Sequence, residues 1–270
     1  MCRKAQILAI ARRDGRVMVD ALATRLGVSA HTIRRDLNAL CAEEKLRRLH
    51  GGAEYVEADQ NLPYGTRSVM NARQKRAIAR AVAEIVPDGA TVFVSIGTTP
   101  AIVAAALSSK RDLTVITNNL NAANALAIAE RRGIRIVLPG GEMRLPDRDI
   151  VGEDVLRMFE GYRADFGIYG VGGIERDGTL LDFHASEVRI REQIRRNSRA
   201  SVLVADCSKF ARAAAAAGSH LAEVDIVVLD RRPEPPFDAL VAGLPGRVIY
   251  ADAPGAPGAD ADAEPSTADA

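Results

Sequence analysis

The stretch TVFVSIGTTPAIVAAAL, residues 91–107, reads as a strand that turns through Gly97-Thr98-Thr99-Pro100 into a helix. The chemistry suited to such a junction is anion binding. Glycine permits a tight strand exit and close backbone approach. Thr98 or Thr99 can cap the helix, and Pro100 fits its first turn, where no N–H is needed. Exposed N–H groups and the helix dipole then favour a phosphate. On its own the tetrapeptide is equally an ordinary capped turn. Three further strand ends offer suitable residues, because ligands of open α/β sheets sit beyond the carboxyl ends of strands. These are Asn118-Asn119 after 113–117, Gly140-Gly141 after 134–138, and Asp206-Ser208-Lys209 after 201–205. Lys209 would add a full positive charge. Gly170 and Gly172 do not extend to a dinucleotide fingerprint, since Glu175 stands where the third glycine belongs. No NAD, other cofactor or metal is expected.

A second chemistry sits near the start of the chain. On a helical wheel Ile33, Leu37 and Leu40 share one face, and His31, Arg35 and Asn38 the opposite one, flanked by Thr32 and Arg34. A recognition helix needs this arrangement, apolar toward its supporting helix and hydrogen-bonding toward base edges in the major groove. Ser29 can cap this helix, and the N–H groups beside it can meet a phosphate. Arg47, Arg48 and His50 in the following hairpin are placed to touch the DNA backbone. An amphipathic surface helix and a solvated hairpin are the plainer alternatives. The pattern of capped helix, Gly27, Val28 and Ser29 favours DNA.

Elements must hold these groups. Residues 3–14 read as a helix ended by Gly15, Asp20 as the cap of a second, and Ser29 as the cap of a third. KLRRLHGGAEYV reads as a hairpin, giving a winged helix-turn-helix over 1–57, with the helix-turn-helix at about 17–36. Residues 58–71 read as a linker. Strands and helices then alternate to residue 251, which predicts a mostly parallel α/β sheet covered by helices. ERDGTLLDF suggests a small hairpin around Asp177-Gly178. The alanine run 213–217 is mild compositional bias. Along EVRIREQIRR, Glu187–Arg191 and Glu192–Arg196 read as i, i+4 pairs on a solvated face.

Composition narrows the classes further. With 270 residues and 47% hydrophobic content there is room for two domains with cores. The net charge of +1 hides an asymmetry: residues 1–57 hold 11 Lys/Arg against 7 Asp/Glu, suiting a polyanionic partner. Residues 252–270 are acidic and read as a disordered tail. Cys2, Cys41 and Cys207 lack metal or disulfide spacing and suit a reducing cytoplasm. Residues 89–109 carry no charge, but Gly97 and Pro100 interrupt them, so strand, turn and helix is expected rather than a membrane span.

TIRRDLNAL with a downstream LHGGA resembles the DeoR family of bacterial sugar-responsive repressors. So do GTTPAIVAAAL, VITNNLNAAN, LPGGEMR, ADFGIYGVGGIERDGTLLDF, EVRIREQIRRNSR and DCSKF, in order over roughly residues 3–230. The resemblance implies an isomerase-like, sugar-phosphate-sensing domain behind the head, and supports the same strand-end positions for the effector. It also turns Glu187 inward, toward a sugar hydroxyl. Where relatives tend to carry an acid two residues before Gly97, this chain has Ser95. The function implied is repression of a carbohydrate or glycerol catabolic operon, with release from double-stranded operator DNA by a phosphorylated polyol or sugar such as glycerol 3-phosphate. Such heads work in symmetric pairs, so a homodimer or homotetramer is expected. The alternative is a sugar-phosphate isomerase with an appended DNA-binding head, using Glu187 or Asp206 as base.

Overall fold

The structure is a computed structural model that describes residues 3–14, 16–42, 45–49, 51–55, 61–128 and 132–251. Gly15, His50, the boundary at 57–58, Cys2 and the tail 252–270 lie outside the described residues, as does the side chain of Arg47.

The head runs α1 (Arg3–Asp14), β1 (Arg16–Met18), α2 (Val19–Leu26), α3 (Ala30–Ala42), β2 (Leu46–Leu49) and β3 (Gly52–Tyr55). Gly27 ends α2 in the left-handed conformation at φ 64, donating back to the Ala23 carbonyl, and lets the chain turn at once into α3. Ser29 caps α3 as expected, its hydroxyl accepting from the Thr32 N–H at 3.2 Å. Asp20 does not cap α2. Residues 16–18 form a strand, so the helix starts at Val19 and Asp20 sits in its first turn, where a carboxylate still favours the dipole. The strands form an antiparallel sheet in the order β1-β3-β2. Ile7, Leu22, Ile33, Leu37, Leu40 and Leu46 close one apolar core between helices and wing.

The second body opens with α4 (Tyr64–Val69) and α5 (Ala72–Ile85). Residues 58–71, read as linker, therefore contain a helix. Six residues behind Pro63, with Gly65 inside, carry too short a period to reveal it. β4 (Thr91–Val94), α6 (Thr98–Leu107), β5 (Thr114–Thr117), α7 (Leu120–Ala127) and β6 (Arg135–Val137) follow, then the hairpin β7 (Glu142–Arg144) and β8 (Asp149–Val151). Next come α8 (Glu153–Glu160), β9 (Ala164–Tyr169), β10 (Gly173–Ile174), β11 (Thr179–Asp182), α9 (Ala185–Arg196) and β12 (Ser198–Ala205). β13 (Ala216–His220), β14 (Ile226–Leu229), α10 (Phe237–Ala242) and β15 (Arg247–Tyr250) complete it.

Seven strands form one parallel sheet in the order β15-β14-β12-β9-β4-β5-β6. Side chains alternate between two cores. Val92, Val94, Val202 and Val204 meet Ile78, Val82, Val103 and Leu107 of α5 and α6. Phe93 and Leu203 meet Phe159 of α8 and Ile190 and Ile194 of α9 on the other face. Phe93 and Phe159 stand edge to face at 5.2 Å. The uncharged stretch 89–109 is thus buried as β4 and α6, and no helix among the described residues is long and apolar enough to cross a membrane.

The last two residues of the alanine run, Ala216 and Ala217, open the strand Ala216–His220, which pairs with β11. At Gly218 the Arg191 side chain lies against it. A Cβ on Gly218 would come within 2.3 Å of the Arg191 guanidinium.

Candidate anion site and nucleic-acid face

The sheet fixes where a ligand can sit. The chain runs outward from β4 through β5 to β6, crosses back to β9 beside β4, and then runs outward the other way. The two progressions part between β4 and β9, and their carboxyl-end loops leave a crevice there. A cleft of about 660 Å³, counting its open mouth, occupies that place. Ser95 to Pro100 form one wall and Gly170 to Gly172 another.

Gly97 is the N-cap of α6, at φ 109 and ψ 166, and no side chain caps the helix. Thr98 and Thr99 are therefore the first two helical residues rather than caps, both nearly buried. Pro100 supplies no N–H. The first turn, without a side-chain cap, thus lies along the cleft wall, and a helix start so placed favours an anion.

Of the residues proposed for the effector, Gly97, Thr98, Thr99, Glu187 and Lys209 line the cleft. Asn118, Asn119, Gly140 and Gly141 do not. Asn119 is a brace behind it: its amide donates to the carbonyls of Ser95 and Gly97, both at 3.1 Å, while its oxygen caps α7. Asn118 is buried and donates to the Ile150 carbonyl at 2.9 Å. Gly140 and Gly141 are exposed and lead into the β7–β8 hairpin. That hairpin delivers two cleft residues absent from the sequence reading, Arg144 and Asp147. Asp182, Arg191, Arg212 and, from α4, Arg67 were also not anticipated. Of these, Arg144, Asp182 and Arg191 lie in motifs that the sequence already singles out. Arg67, Asp147 and Arg212 are exposed-looking charged residues in sequence, whose inward direction only tertiary structure sets.

The self-paired face read along α9 is replaced by inward contacts. Arg191 is 1% exposed and meets Asp182 of β11 at 3.1 Å, not Glu187. Glu187 pairs instead with Arg144 at 2.8 Å and, through its other oxygen, accepts from the His184 N–H to close a capping box. Glu192 pairs with Arg195 at 3.1 Å and accepts from the Ser219 N–H. Burial lowers the hold of Arg144 on its proton, but Asp149 and Glu187 outweigh it and keep the guanidinium charged. Asp206 lies outside the lining. Burial raises its carboxyl, yet Lys209, the Ser208 hydroxyl and Lys75 together hold it below the ordinary range. The lining carries five cationic side chains against three carboxylates, a balance that suits an anion.

Asp182 yields a test of this buried chemistry. Burial pushes its carboxyl up to about 7, with Arg191 pulling the other way. A raised carboxyl pKa means that the folded state holds a proton the unfolded chain has released. Stability is then present at low pH and lost as pH rises from about 4 to about 7. Urea unfolding at about pH 5 and about pH 8 should show wild type losing ground to Asp182→Asn as pH rises. A simple ion pair would give the opposite slope.

In the head, α3 presents the expected faces. Ile33, Leu37 and Leu40 are buried; His31, Arg34, Arg35 and Asn38 are exposed and Thr32 half-buried. Asp36 is the exception within the charged set: it is buried and pairs with Arg3 at 2.5 Å, tying α1 to α3. Arg34 and Arg35 make no ion pair among the described residues. Ser29 is exposed at the start of α3, and Arg48 is exposed on β2.

A winged helix-turn-helix joined to an open α/β body with a basic switch-point cleft defines a DNA-binding regulator with a sensor domain. The comparisons agree: residues 3–59 match the DeoR-like helix-turn-helix domain and residues 70–231 the DeoR C terminal sensor domain. The chain belongs to the DeoR family of transcriptional regulators. It is 43% identical to the glycerol-3-phosphate regulon repressor of Escherichia coli (strain K12) over 227 residues, 84% of this chain and 89% of that one. The repressor of the same name from Haemophilus influenzae is 39% identical over 232 residues, 86% of this chain and 90% of that one. Among solved structures, ribose 5-phosphate isomerase A from Methanocaldococcus jannaschii matches at a TM-score of 0.38 and 17% identity, over 53% of this chain and 56% of that one.

Proposed function

We propose that this repressor holds its operator through paired heads and releases it when a phosphorylated polyol, glycerol 3-phosphate first among the candidates, fills the switch-point cleft. The observation that carries the reading is the uncapped turn at Gly97-Thr98-Thr99 opening into a cleft with a cationic surplus. The phosphate sits on the first turn of α6, with Lys209 adding charge. The carboxylates Glu187 and Asp182 are the acceptors available to polyol hydroxyls. Asn118, Asn119, Gly140 and Gly141 act from behind as supports. Ser95 lines the cleft without a carboxylate of its own and leaves hydroxyl recognition to those other carboxylates.

The heads contact DNA through His31, Thr32, Arg34, Arg35 and Asn38 in the major groove, and through the helix start at Ser29 together with Arg47, Arg48 and His50 along the backbone. A pair of heads on two half-sites requires a dimer or a tetramer. Occupancy of the cleft must favour an arrangement in which the heads no longer fit both half-sites, because a ligand shifts an equilibrium only by its differential affinity.

Calorimetric titration of the full chain with glycerol 3-phosphate tests the reading. Lys209→Ala should weaken binding by about 10- to 100-fold, the range for a hydrogen bond to a charged group. The same variant should hold operator DNA at effector concentrations that release wild type. Unchanged binding in Lys209→Ala removes Lys209 from the site.

A further inference from the structure

The two family matches stop at residue 59 and resume at residue 70, and α4 lies in the gap between them. It nonetheless contributes to the cleft. Arg67, in its last turn, lines the cavity with a side chain only 11% exposed. Its Nε donates to the Leu62 carbonyl at 2.8 Å, and its Nη2 to the Asp147 carboxylate. Asp147 is shared, since Arg144 stands 3.7 Å from its other oxygen. Behind α4, Lys75 donates to the Arg67 carbonyl. Asn71, held in the left-handed region at φ 51, donates to Asp206 at 3.0 Å and to Ser208 at 3.2 Å. Those two residues belong to the turn that carries Lys209 into the same cleft.

We infer that Arg67 is an effector-binding residue, and that α4 is thereby the element through which occupancy of the cleft acts on the DNA-binding head. The inference rests on the cleft being the effector site. A phosphate monoester offers a guanidinium a forked partner with more charge than a carboxylate. Ligand and Asp147 compete for the same cation. Because Arg67 rides on α4, the exchange biases the position of that helix, which stands on the route from head to sheet. The Asn71 and Lys75 contacts pin the C-terminal end of α4, where Arg67 sits, to the body. The Arg67 side chain reaches back to the Leu62 carbonyl ahead of the helix, so a change of partner at Arg67 is taken up on the head side.

The test is calorimetry of the full chain with glycerol 3-phosphate, on wild type, Arg67→Ala and the nearly isosteric Asp147→Asn. Arg67→Ala should bind about 10- to 100-fold more weakly. Asp147→Asn, which removes the competitor, should bind about threefold more tightly or better. At saturating ligand, Arg67→Ala should release less operator DNA than wild type does. Wild type that fails to bind glycerol 3-phosphate overturns the effector reading itself. If wild type binds and Arg67→Ala binds equally, only the role of Arg67 falls. Parallel weakening in both variants marks the pair as a strut and overturns the competition. Full release by saturated Arg67→Ala overturns transmission through α4.

Discussion

Alanine at Arg35 lowers affinity for operator DNA from the region upstream of the gene by about 5- to 150-fold, and leaves glycerol 3-phosphate binding at its wild-type value. The magnitude is that of one side chain making a bidentate contact with a base edge. Arg35 is exposed on the face of α3 opposite Ile33, Leu37 and Leu40, and no ion pair among the described residues engages it. Its removal therefore costs the head no packing, and the core of Ile7, Leu22 and Ile33 stays closed. Gel-shift titration beside calorimetry separates the two activities. Equal loss of both would mean that head and sensor do not divide the labour as described.

The second large effect is at Gly97. Its φ of 109 and ψ of 166 lie in a region essentially closed to side-chain-bearing residues. A Cβ there would reach Pro100 at 3.4 Å, an ordinary contact, so the obstacle is conformational rather than steric. Alanine would cost about 1–3 kcal/mol of backbone strain. The turn would relieve it by rotating, which withdraws the N–H groups of Thr98 and Thr99 from the cleft. Glycerol 3-phosphate binding should fall by about 10- to 100-fold, the affinity equivalent of that strain. Gly65 provides the contrast. It lies within α4, has open space around its absent Cβ and carries no left-handed φ. Alanine there should leave stability unchanged or raise it by about 0.4–1 kcal/mol. Denaturant unfolding of both variants checks the difference in sign.

How much of this could be read from residues alone follows from where the information sits. The buried stripe of α3 was legible because a helix converts a periodic apolar pattern directly into a face. Gly97 and Thr98-Thr99 were legible because the strand-to-helix turn is local in sequence. Asn118, Asn119, Gly140 and Gly141 lie off the cleft lining, because not every strand end faces the switch point. β5 and β6 lie on one side of it, so their end loops support the cleft or leave toward the β7–β8 hairpin. α9 failed for a different reason. Its i, i+4 charges satisfy a solvated pattern, yet β11 and the β7–β8 hairpin bring Asp182 and Arg144 against it, and a buried partner outcompetes an exposed one. β1, β7 and β8 are three residues long and carry no alternation strong enough to separate them from loops.

Fluorescence anisotropy of labelled operator DNA, titrated with the full chain in the presence and absence of saturating glycerol 3-phosphate, measures the coupling between cleft and head directly. The account predicts that saturation weakens operator affinity by about 5- to 150-fold, a coupling of about 1–3 kcal/mol. Operator affinity that stays constant while calorimetry shows the cleft filled would contradict it.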